Sequence, residues 1–303
     1  MSGLSTSLPE FTEKLLSAAR VAGADAADAL ASMGSAIEIN VRSGVLEQAE
    51  RSETMDMGLR VFVGQRQAVV SGSDLRDGTL TTMAERAVAM AKEAPDDPYA
   101  GLAAPEQLAV DWNVEALELY DTQPEPSAGA LEADALAAEA AALGVAGIEQ
   151  VDAASSSYGS GQVHFQTSAG FAGGYQRSSR SISCVAIAGS GLQMERDYDF
   201  DNRIFQEDLT NPAEIGAKAG ARAVARLKPS KPPTGQFPVL FDERVASSLI
   251  GHFLSAINGA SVARGSSWLL EGLGQQVFPD GTQLIEDPHR PRVAGSRPFD
   301  GEG

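Results

Sequence analysis

Apolar and polar positions alternate along the chain in two rhythms. Phe11, Leu15, Leu16 and Ala19 recur at helical spacing. Ser7-Leu8-Pro9-Glu10 in front of them reads as a capping box, with Ser7 as N-cap, Glu10 reaching back and Pro9 in the first turn. This helix is expected to end near Gly23. The period then falls to two. "AIEINVRSG" from Ala36, "VLEQAERSETMDMGLRVFVG" and "QRQAVVSGSDL" read as strands, with a tight hairpin at Gln65-Arg66 and Gly64 at its bend. "DGTLTTMAERAVAMAKEA" returns to helical spacing, with Leu80, Met83, Ala87 and Met90 or Ala91 inward. "PDDPYAGLAAPEQLAVD" is a connector rich in proline.

The cycle then repeats. "PSAGALEADALAAEAAAL" reads as a helix and residues 151–200 as an antiparallel meander. "NPAEIGAKAGARAVARL" reads as a helix capped by Asn211 with Pro212 at N1. Helix, strands, helix thus occurs twice, over 8–95 and 127–228, as a duplicated unit would; an ordinary α+β rhythm has the same order. "KPSKPPTGQFP" (228–238) is the clearest boundary, and "VLFD" after it reads as the start of a buried strand. The expected organisation is α+β. Residues 1–228 form a two-layer region of antiparallel sheet and helices. Residues 229–303 begin a mainly β C-terminal domain, and the stop in a Gly-rich turn suggests a fragment.

Composition narrows the function. The 303 residues are 43% hydrophobic, enough for a sizeable core. The net charge of −18 argues against direct contact with nucleic-acid phosphates, which need Lys and Arg. The single cysteine, Cys184, excludes an internal disulfide and a cysteine cage for zinc, and cytoplasm is the expected compartment. The N-terminus has neither a basic nor an apolar leader region, and no apolar run is long enough for a membrane span.

Candidate chemistry is sparse. A helix from Asp242 or Glu243 carries Val245, Leu249, Phe253 and Ile257 at four-residue spacing, with His252 at the edge of the stripe. Zinc on a helix needs a second ligand one turn away, and Ser248, Ser255 and Ala256 are no such ligands. His164 and His289 are isolated, and a three-histidine site from distant elements stays open only as a minor alternative. There is no G-x-S-x-G elbow, "GSGLQM" (189–194) lacks the third glycine of a dinucleotide fingerprint, and no P-loop occurs. Cys184 shares a strand face with Ile182 and Ala186 and reads as a buried, inert thiol. Glu195, Asp197, Asp199 and Asp201 alternate along a strand and read as a solvated face or strand end.

"GVLEQAERSETMDMGLRVFVGQRQAVVSGSDL", the Pro-rich joint, "FPVLFDERVASSLIGHFLSAINGASVARGSSWL" and the terminal "RPFDGEG", in that order, resemble the TldD/PmbA family, also labelled modulators of DNA gyrase. The resemblance spans essentially the whole chain and is closer to the PmbA (TldE) branch. It implies an α+β N-terminal region and a largely β C-terminal domain. It further implies a cytoplasmic TldD–TldE heterodimer that cleaves peptides or unfolded proteins, in which TldD carries zinc on H-E-x-x-x-H and the PmbA-like subunit helps enclose the cavity. Laid on this chain, the motif falls on Gly251, His252 and Ala256. A one-residue gap would instead set His252, Phe253 and Ile257 at its positions. Neither set holds zinc, so no catalytic or metal residue and no cofactor is expected in this chain. His252, with Asp300 and Glu302 of "RPFDGEG", are the remaining candidates. The expected partner is a zinc-bearing TldD-like subunit, and an effect on gyrase would be indirect. Alternatives are an active metallopeptidase with a non-standard site and a non-enzymatic module whose sheet edges hold peptides.

Overall fold

A computed structural model describes residues 7–110 and 112–303. The first six residues of the stretch read as lacking a leader, and the end of the Pro-rich connector at 111, lie outside the described residues. Two compact units divide the chain: one runs up to Pro229 and includes Asp287–Gly303, the other is Ser230–Glu286.

The first unit is an α+β structure. Helix α1 (Leu8–Ala22) starts at Ser7, whose N–H and hydroxyl both donate to the Glu10 carboxylate, and ends at Gly23 in the left-handed region (φ +97°). Strands β1 (Ala26–Arg42), β2 (Val45–Val63) and β3 (Arg66–Gly72) follow, then α2 (Asp77–Glu93). The second cycle is α3 (Ala128–Leu143), β4 (Ile148–Thr167), β5 (Ala172–Ala188), β6 (Glu195–Arg203) and α4 (Pro212–Ala225). One six-stranded antiparallel sheet results, in the order β3-β2-β1-β4-β5-β6. The two cycles meet at the central β1–β4 pair, where Gly34 stands opposite Gly161.

Strand β1 begins well before the expected Ala36. Residues 26–35 are Ala-, Ser- and Gly-rich and carry little intrinsic strand preference, but pairing with both β2 and β4 holds them extended. The β2–β3 turn is Gly64-Gln65, one residue earlier than expected, with Gly64 at φ +58° in the first central position where a tight hairpin turn favours glycine.

All four long helices of this unit cover one face. Leu8, Phe11, Leu15 and Ala19 of α1 and Leu80, Ala84, Ala87 and Val88 of α2 pack on Ala27, Ala29 and Ala31 of β1. Leu131, Ala135 and Ala138 of α3 and Ile215, Ala219 and Ala223 of α4 pack on Ile37, Ile39 and Val41 of the same strand. These β1 positions share parity, hence one face. Met90 is exposed and Ala91 buried, which settles the inward side of α2.

On the opposite face, Phe299 sits among Trp112, Phe171 and Tyr175, with ring centroids 5.0–5.6 Å away. It belongs to the Asp287–Gly303 segment, which Arg177 holds by donating to the carbonyls of Ala294 and Ser296. Arg292 of this segment donates to Glu118, Glu207 and Asp208 and lies 3.9 Å over the Phe205 ring.

The second unit holds α5 (Glu243–Ile257) and α6 (Gly259–Ala263) and, among the described residues, no strand. "VLFD" is therefore not a buried strand: Val239, Leu240 and Phe241 are exposed and irregular. A strand needs a neighbour for its N–H and C=O groups, and none is formed in this unit.

Candidate functional site

Asp242 caps α5 by accepting from the Arg244 N–H at 3.0 Å. The apolar stripe exists as read, but it is open to solvent: Val245 is 49% exposed, Leu249 45%, Leu254 54% and Ile257 49%. Phe253 meets Phe278 edge-on at 4.9 Å. Of the three positions under the zinc motif, Gly251 and His252 are exposed and Ala256 is buried. Glycine and alanine have no donor atom, so this helix offers a single imidazole and does not fit a zinc ion, which needs converging ligands.

Asp300 and Glu302 lie in the first unit, whereas His252 lies in the second. The Asp300 carboxylate accepts from the N–H groups of Glu302 and Gly303, closing the terminal turn, and the Ala109 N–H bonds to the Gly303 carbonyl at 2.8 Å. Asp300 thus has a local structural task. The Glu302 charge acts on Asp28, whose carboxyl is pushed up mainly by burial while Arg60, bonded at 2.7 Å, pulls it down.

The other histidines serve elsewhere. His164 Nδ1 is 2.9 Å from the buried Thr12 hydroxyl under α1, and burial lowers its basicity. His289 follows Asp287, which accepts its N–H. Among the described residues no group of three or more His, Cys, Asp or Glu side chains gathers as a metal site.

The meander carboxylates correct the sequence reading. Asp197 and Asp199 are buried, facing the basic row of α4. Asp199 pairs with Arg222 and, at 3.7 Å, with Lys218; Asp197 pairs with Arg226 at 3.3 Å. Strand alternation sends these carboxylates under α4, where Lys218, Arg222 and Arg226 recur every four residues, and leaves Tyr198 and Phe200 exposed on the other side. Cys184 is fully buried, and burial, with Glu139 second, pushes its thiol up to about 12.

One cavity escaped the sequence reading. It measures about 630 Å³ between α3, β4, β5 and two loops, with Pro124, Pro126, Tyr158 and Phe205 among its walls and Asp134 and Arg180 in its lining. Arg180 is 3% exposed; its guanidinium donates to Asp134 at 2.5 Å and to Ser156 and the Ser157 carbonyl at 2.9 Å. An arginine inside an alternating strand and an aspartate in an alanine-rich helix were the available signals. Only the fold shows that they meet.

Comparison with known proteins places this architecture. Family models described as PmbA/TldA metallopeptidase domain 1, central domain and C-terminal domain match residues 27–91, 121–227 and 234–303. Metalloprotease PmbA of Escherichia coli O157:H7 is 33% identical over 279 residues, and a PmbA homolog of Haemophilus influenzae is 34% identical over 282. These alignments take in 92% and 93% of this chain but 62% of each relative, so the chain spans about three fifths of their length. Two solved structures share the fold. One is a candidate modulator of DNA gyrase from Bacteroides thetaiotaomicron (TM-score 0.89, 24% identity, 97% of this chain and 67% of the other). The other is TldE from Thermococcus kodakarensis (TM-score 0.62, 17% identity, 86% and 58%). With three successive domain models of the family matched in order along the chain, and relatives aligned over more than nine tenths of it, the chain belongs to the PmbA/TldD family of metallopeptidase-like proteins, as a PmbA/TldE member.

Proposed function

We propose that this chain is the non-catalytic, PmbA/TldE-type subunit of a two-component zinc peptidase. In this reading a TldD-like partner supplies the zinc and the general acid–base group. The present chain helps to enclose the cytoplasmic cavity in which peptides or unfolded polypeptides are cut. What carries the reading is the chemistry of α5: the family's zinc motif, laid on this helix, falls on Gly251, His252 and Ala256 or, with a one-residue gap, on His252, Phe253 and Ile257, and neither set supplies two zinc ligands.

The relatives' name, metalloprotease, favours a second reading, in which this subunit is active by itself. Co-purification with a TldD-like protein, followed by a cleavage assay on a denatured protein, separates the two. The expected result is a stable complex, no cleavage by this chain alone and cleavage by the mixture. Zinc-dependent cleavage by this chain alone, abolished by His252→Ala, would overturn the first reading.

A further inference from the structure

Strand β2 has 19 residues, Val45–Val63, but β3 pairs only with Met57–Val63. No described strand pairs with Val45–Asp56 on the side away from β1. Val63 and Arg66 flank the two-residue turn and so exchange both hydrogen bonds; alternation then aims the N–H and C=O of odd-numbered β2 residues from Ala49 to Val63 at this side, up to the register shift opposite Asn40 and Val41. Ala49, Arg51, Glu53 and Met55 therefore present their main-chain groups outward along an open edge. Ten of the twelve side chains from Val45 to Asp56 are exposed.

The charge along this edge is one-sided. Glu47, Glu50, Glu53 and Asp56 outnumber its one arginine, Arg51, which is itself engaged by Glu125 at 2.6 Å and Glu53 at 3.6 Å, while Arg42 of β1 reaches Glu47 at 3.5 Å. Glu50 also stands directly opposite Glu38 of β1 on the helix-free face. Like charges opposite each other destabilise a sheet. A cation arriving beside Glu50 would relieve that repulsion. A second copy of this chain would instead bring its own four carboxylates against these.

We propose that the Val45–Asp56 edge of β2 is a docking site for an extended cationic polypeptide segment, which adds as a strand and sets Lys or Arg beside Glu50 and Asp56. Main-chain bonds to Ala49, Arg51, Glu53 and Met55 would supply register-tolerant affinity, and the carboxylates would select the sign of the charge. This goes beyond the peptidase reading. Capture by this chain alone, with no cleavage on mixing with a TldD-like subunit, would keep the edge and remove that reading.

The test is fluorescence anisotropy of the whole chain with an end-capped peptide of alternating lysine and valine, about ten residues long to match the edge at ~3.4 Å per residue. A glutamate–valine peptide and a lysine–valine peptide N-methylated at alternate amides serve as comparisons. The lysine peptide is expected to bind, the glutamate peptide not to bind, and N-methylation to weaken binding by about tenfold or more. Ala49→Pro removes one outward N–H without touching a bond to β1, as edge strands tolerate, and is expected to weaken binding similarly with the circular dichroism spectrum unchanged. Glu50→Gln with Asp56→Asn should weaken it and flatten its salt dependence. Equal binding of the methylated and unmethylated lysine peptides, or no binding of either, would overturn the proposal.

Discussion

Gly216 on α4 lies against the carbonyl oxygen of Ala138 on α3, so close that a β-carbon at 216 would stand 1.9 Å from it. The next turn repeats the approach: a β-carbon at Gly220 would stand 2.9 Å from the Val145 side chain and 3.1 Å from the Ala142 carbonyl. Neither glycine has a positive φ, so space rather than backbone conformation demands them. Alanine would raise helix propensity by ~1 kcal/mol but must push two helix backbones apart. Gly216→Ala is therefore expected to destabilise by ~2 kcal/mol or more, a fall in Tm of about 4–8 °C for a unit of this size. Thermal denaturation checks it. An unchanged or raised Tm would contradict the packing.

The Arg180–Asp134 pair predicts an asymmetry between single and double substitutions. Arg180 is almost wholly buried and Asp134 partly so. Asp134→Ala leaves a desolvated guanidinium without its carboxylate and should cost ~3 kcal/mol. Asp134→Ala combined with Arg180→Met removes both charges and should recover most of that loss. Urea unfolding of the unaltered chain and the two variants measures the difference.

Asp201 sets part of the acid limit of the fold. Burial pushes its carboxyl up, but the Thr210 N–H (2.9 Å) and hydroxyl (2.7 Å), with Arg203, outweigh this and hold it below its ordinary 3.8. A depressed folded pKa stabilises the native state above the unfolded value, and that stabilisation disappears as pH falls through the folded value. Asp201→Asn should therefore lower stability at pH 7, and the gap to the unaltered chain should close as pH drops below about 4. Chemical unfolding across pH 2–7 checks the sign.

Cys184 supplies a reactivity prediction. With its thiol pushed up to about 12 inside the α3–α4 core, it should stay unlabelled by a thiol reagent at pH 8 in the folded chain and react at once in denaturant. Fast labelling of the native protein would show that this core opens.

The sequence carried the helices because their stripes and caps are local: Ser7 with Glu10, Asn211 before Pro212, and Gly23 after α1. It carried the β2–β3 hairpin to within a residue for the same reason. Residues 26–35 were illegible because their strand state comes from pairing with β2 and with β4, the latter distant in sequence. The Asp197 and Asp199 carboxylates were misread because alternation alone does not say which face of β6 a helix will cover. Within the site, the apolar stripe of α5, with His252 at its edge, was legible residue by residue. The Arg180 cavity was not, since its walls come from segments spread over residues 121–207.

The proposed function requires that this chain hold no zinc of its own. Elemental analysis of the purified chain, loaded with excess zinc and then desalted, tests it most directly, with His252→Ala in parallel. The account predicts far less than one zinc per chain and no difference between the two proteins. One zinc per chain, lost in His252→Ala, would contradict it.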